Sequence, residues 1–157
     1  MARPRRDEGF STMKIIVIVA ILMILSGILV PLYAWFADRA KISEVTENLA
    51  AICEAQVSYR AEHGTYHPCK ESPANGGTDN IPDPWVDEGT PDTDAFADIG
   101  FRPEGPVRYK YNVTNVTETA FTAIATGDLD EDGKPARFIV YKLHPRYPEP
   151  IRTGDRW

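Results

Sequence analysis

The sequence predicts an α+β protein, one long N-terminal helix packed on a small antiparallel sheet. Three observations predict it. The run from Ile15 to Phe36 is apolar and carries no charge. A helical pattern continues past it to about His63, and strand-like alternation begins only after residue 106. The chain has 157 residues and a formal charge of −6, from 17 Lys+Arg against 23 Asp+Glu. That balance argues against a nucleic-acid scaffold, which presents a basic face. Two cysteines are too few for a disulfide-framework fold or a four-thiolate zinc site.

The apolar run comes first. At about 1.5 Å per residue it reaches roughly 33 Å, enough to cross a hydrocarbon core of about 30 Å. Arg3, Arg5 and Arg6 precede it. By the positive-inside rule they hold the N-terminus in the cytoplasm and send the rest of the chain outward. A secretory signal is one alternative, but its apolar core would be shorter and followed by a small-x-small site. Leu32-Tyr33-Ala34 is a poor match to such a site. A simple signal anchor is the other alternative and fits the hydropathy.

The order of residues around Gly9 is what neither alternative explains. A short charged leader ends in Gly9, and Phe10-Ser11-Thr12-Met13-Lys14 follows. The apolar stretch IIVIVAILMILSGILVPLYAWF comes next, with Pro31 deep inside it. This resembles the class III leader of type IV pilins and type II secretion pseudopilins. The resemblance covers about 35 residues closely and the general layout loosely. It implies that a prepilin peptidase cuts between Gly9 and Phe10 and methylates the new amine of Phe10. The apolar helix then survives processing. Pro31 stands where the family has its helix-kinking proline, which deletes a backbone hydrogen bond.

Lys14 departs from the family pattern, which has glutamate there to pair with a neighbouring subunit's N-terminal amine. A lysine beside an ammonium is repulsive, and a buried unpaired cation is costly. Lys14 is either a topology anchor whose stem snorkels to the interface or the mark of a subunit outside the ordinary repeated register. Both readings favour a minor pilin or pseudopilin over a major one.

Beyond Phe36 the helix turns amphipathic, with Ile42, Val45, Leu49, Ile52 and Tyr59 on one face and Gln56 interrupting it. Gly64 is the expected stop. The reading is one helix from about Ser11 to His63, half in membrane and half in a soluble domain. The organisation is then a leader at 1–9, a membrane or filament-core helix at 10–37, and an exported domain at 38–157. Residues 64–106 are proline-rich and are expected to be an acidic connecting loop. Glu71, Asp79, Asp83, Asp87, Glu88, Asp92, Asp94 and Asp98 fall there with no Lys or Arg among them. Trp85, Phe96, Ile99 and Phe101 are expected to pin it. Strand runs start at Val107, Thr119 and Arg137 and make a three-strand meander over 107–142. The tail 143–157 is expected to be irregular. Long helix, loop and meander together resemble the pilin lollipop.

Few residues suggest chemistry. Asp128, Asp130 and Asp132 with Gly133 have the D-x-D-x-D-G spacing that begins a calcium loop, and equally that of a hairpin turn. An EF-hand is excluded, because Ile139 stands where it needs glutamate. Cys53 and Cys69 are expected to form a disulfide on the exported side, clipping the loop to the helix. His63, His67 and His144 have no metal spacing. Asn112 and Asn115 open formal glycosylation sequons, which are taken as strand-end composition. There is no nucleophile elbow, Ser-His-Asp grouping or phosphate loop, so no enzyme is expected. The partners implied are the prepilin peptidase, other pilin or pseudopilin subunits, an inner-membrane assembly platform and lipid. The alternative is a single-pass anchored periplasmic binding domain, with calcium as its one candidate cofactor.

Overall fold

In the computed structural model the described residues are 12–129, 131–141 and 151–153. The expected leader with its expected cleavage site at Gly9–Phe10, Asp130 and His144 lie outside them. The chain divides into two compact units, Met1–Arg39 and Ala40–Trp157.

Helix α1 runs Thr12–His63, as the apolar and amphipathic patterns predict. It ends at Gly64, whose φ of 80° and N–H bond to the Arg60 carbonyl (2.8 Å) form a left-handed cap. Within the second unit the helix buries Val45, Leu49, Ile52 and Gln56 completely. Their spacing of four, three and four is one helical face. Ile42, expected on that face, is 41% exposed instead.

Among the described residues the sheet has five antiparallel strands in the order β1-β2-β3-β4-β5. They are β1 Cys69–Ser72, β2 Lys110–Thr114, β3 Thr122–Gly127, β4 Ala136–Tyr141 and β5 Ile151–Thr153. The expected meander is the central three. The two outer strands correct the expectation of a plain loop at 64–106 and an irregular tail at 143–157. β1 escapes a period-two reading because its burial is not alternating and its pairing to β2 shifts register between Cys69 and Ser72. β5 is only three residues long.

One face of the sheet closes over the helix. Tyr109, Tyr111, Val113, Ala123, Ala125, Phe138 and Val140 join Val45, Leu49 and Ile52 in a single core. The acidic segment is anchored as expected. Trp85 packs edge-on against Phe96 (5.3 Å) and Phe101 (5.6 Å) and tilts onto Tyr111 (6.3 Å). A 3-10 turn at Phe96–Ile99 buries Phe96 and Ile99, and Asp83 bridges to Val107.

Candidate functional site

Thr12–Leu29 has a mean hydropathy of 2.6, and none of that stretch is buried by the rest of the chain. Ile16, Ile24 and Ile28 are each more than 60% exposed. An all-round apolar helix of this length left uncovered by its own chain is built for lipid or for partner helices. Its polar atoms are handled internally. Ser26 Oγ donates to the Met23 carbonyl at 2.9 Å, which removes the cost of a free hydroxyl in an apolar medium. Nothing stands within 4 Å of a Cβ built on Gly27. α1 continues unbroken through the position of Pro31. Lys14 is exposed in the first turn, and that turn contains no acid.

The second unit holds helix to sheet through polar clamps that the sequence pattern did not reveal. Gln56 is fully buried; its Nε2 donates to the His67 carbonyl (2.6 Å) and its Oε1 accepts from the His67 N–H (2.9 Å). Glu44 accepts from the Arg108 N–H (2.7 Å) and from Arg108 Nη1 (2.8 Å). Asn48 Nδ2 donates to the Tyr111 hydroxyl at 3.0 Å. His67 Nε2 lies 3.1 Å from Asp98 Oδ2. Of the helix residues in these clamps, Glu44, Asn48 and Gln56, only Gln56 stood out in the sequence, as an interruption of the apolar face.

The expected Cys53–Cys69 disulfide is not formed; both cysteines are free. Cys69 Sγ instead meets Gln56 Nε2 at 3.7 Å and the carbonyls of His67 and Ala95 at 3.9 Å. Gln56, one turn beyond Cys53, occupies the place facing Cys69. Burial pushes the Cys53 thiol up to about 11. Burial, followed by Asp87, Asp98 and Asp94, raises Cys69 further, so both thiols stay protonated at neutral pH.

At the candidate calcium loop, Asp128 Oδ2 accepts from the Gly133 N–H (2.9 Å) and Asp132 Oδ1 from the Lys134 N–H (2.8 Å). Lys134 Nζ lies 3.7 Å from Asp132 Oδ2. These are the bonds of a turn closed by its own aspartates, with Glu131 and Gly133 at positive φ. Asp128 N–H donates to the Gly77 carbonyl at 2.9 Å, tying the turn to the acidic segment. Asp128 Oδ1 is buried with no partner among the described residues. No group of three or more metal-ligating side chains occurs among the described residues.

The uncovered apolar helix ahead of an α+β domain is the arrangement to compare with known proteins. The type IV major pilin protein PilA of Myxococcus xanthus (strain DK1622) is 30% identical over 109 residues. The likeness supports a pilin-like family. The match takes in 69% of this chain, and the chain spans 38% of the length of that pilin. No family model matches the chain, and no solved structure matches it.

Proposed function

We propose that the chain is a pilin-like structural subunit of a type IV pilus or type II secretion pseudopilus. The observation that carries this is the uncovered apolar length of Thr12–Leu29, and the likeness to a type IV major pilin supports it. The mechanism is assembly. A prepilin peptidase cuts between Gly9 and Phe10 and methylates Phe10. The helices then leave lipid, driven by an inner-membrane assembly platform, and pack into a filament core with Pro31 bending each one. The soluble unit faces outward, in the periplasm before assembly. Lys14 provides no carboxylate for a neighbour's amine, so the subunit is used in few copies or at an end of the filament.

Gly9→Ala tests this in the protein's own cells. The variant keeps residues 1–9 and is missing from sheared filaments. An unchanged mass with unchanged assembly would contradict the proposal.

A second reading, a calcium site at Asp128, Asp130 and Asp132, is favoured by one observation, the buried and unpartnered Oδ1 of Asp128. Calcium takes 6–8 oxygens, while Asp132 already spends both of its own on Lys134. Calorimetric titration with calcium decides it: heat lost in Asp128→Asn supports the site, and no heat in the parent chain removes it.

A further inference from the structure

A cleft of about 420 Å³ opens on the surface of the second unit, in the connecting segment. Its size falls within the range of small-molecule sites, about 300–1,000 Å³. Trp85 and Phe101 form its apolar wall, Ala97 and Gly100 its exposed rim, and Asp87 and Arg102 its polar groups. Trp85 is held by T-shaped contacts to Phe96 (5.3 Å) and Phe101 (5.6 Å). It is still only half-buried, so part of the indole faces the cleft. Gly100 keeps the rim open. It caps the 3-10 turn at a φ of 71°, and nothing stands within 4 Å of a Cβ built there.

The polar groups differ in how they are used. Asp87 Oδ2 accepts from the Ala97 N–H (2.8 Å) and Oδ1 from the Gly89 N–H (3.2 Å). These bonds fix the carboxylate, and each oxygen keeps a lone-pair position for a further donor. Arg102 is exposed and makes no hydrogen bond or ion pair among the described residues. The indole N–H of Trp85 likewise donates to none of them. The cleft therefore sets one fixed acceptor and several unused donors beside an aromatic surface. A small anion there is repelled by Asp87, and a cation by Arg102. An apolar ligand strips water from both charges and replaces none of it. A hydroxyl is one donor and two acceptors, so a ring of hydroxyls answers both side chains without a charge of its own. The C–H face of such a ring covers the apolar indole.

We propose that this cleft binds a neutral sugar ring, stacked on Trp85, with hydroxyls that donate to Asp87 and accept from Arg102. Asp87 is oriented in advance by its two backbone bonds. Arg102 has no such restraint and is ordered only when the ring arrives, which limits the affinity for a single ring. The proposal goes beyond the assembly reading and stands with or without cleavage at Gly9.

The test is a titration of the full chain with methyl glucoside, methyl galactoside and methyl mannoside, followed by tryptophan fluorescence. The chain is held in a polyoxyethylene detergent, which carries no sugar of its own. Trp85 is the reporter, and Trp85→Phe separates its signal from those of Trp35 and Trp157. At least one glycoside is expected to give a saturable change with a Kd of about 1–10 mM. Arg102→Ala removes an exposed side chain and is expected to weaken binding about tenfold with an unchanged melting temperature. Ala97→Leu fills the rim and is expected to abolish it. Sodium phosphate and tetramethylammonium chloride are expected to give no saturable change. No saturation by about 100 mM with any of the three glycosides overturns the proposal. So does a response that persists in Trp85→Phe, or one equally tight in Arg102→Ala and Ala97→Leu. Saturation by phosphate or tetramethylammonium in place of the glycosides overturns it as well.

Discussion

The side-chain amide of Gln56 pairs in both directions with the backbone of His67, at 2.6 and 2.9 Å. The chain leaves the helix at Gly64 and must start a strand at Cys69. His67 is buried there with no strand partner for its own N–H and C=O groups. Gln56 supplies both bonds from a fully buried position. Gln56→Ala strands a buried donor and a buried acceptor, at about 1–3 kcal/mol each. Chemical denaturation of the full chain in detergent should show a loss of about 2–5 kcal/mol. A loss no larger than for an exposed substitution would mean that water or the backbone replaces the amide.

Glu44 and Arg108 make the second clamp. Glu44 is 16% exposed and accepts both a backbone and a guanidinium bond. Glu44→Gln keeps an acceptor but loses the charge, whereas Glu44→Ala leaves the Arg108 N–H unpaired. Expected costs are about 1 kcal/mol and about 2–3 kcal/mol respectively. Urea midpoints in that order check it, and equal midpoints would contradict the backbone bond.

Asp98 gives the second unit an acid-sensitive joint. Burial opposes its ionisation, but N–H groups of Asp92 and Ala95 and the His67 ring outweigh that and hold the carboxyl below its usual value. A carboxyl depressed on folding contributes stability that is complete above the unfolded pKa, about 3.9. That contribution disappears as pH falls through the lower folded value. Denaturation midpoints between about pH 6 and pH 2 should therefore fall at the acid end, and Asp98→Asn should fall less steeply. Parallel curves would show that Asp98 plays no part.

Cys69 is buried, Cys53 is half-buried and both thiols are protonated, so iodoacetamide should label Cys69 not at all and Cys53 only slowly in the folded chain at neutral pH. In denaturant without reductant both should label, as mass spectrometry would record. A protein from its own membranes that labels only after reduction would carry the disulfide that the sequence spacing suggested.

The apolar helix, its stop at Gly64 and the three central strands were legible because each carries a local signal. Those signals are unbroken hydropathy, a left-handed glycine and period-two alternation. β1 was not, because Cys69–Ser72 joins the sheet through one bulged edge and not through its own pattern. Gln56 was legible only as a flaw in the apolar stripe. Its meaning depends on His67, which no spacing rule places opposite it. Asp128 and Asp132 carried a calcium-like spacing, yet their described bonds are those of a turn, which the same residue types form equally well. Ile42 was placed inward by periodicity, but the core it was expected to join begins at Val45.

Intact mass and N-terminal sequencing of the protein from its own membranes test the assembly account most directly. The account predicts a chain that starts at Phe10 and carries one added methyl group. A chain that starts at Met1 or Ala2 would contradict it and return the apolar helix to the role of a plain anchor.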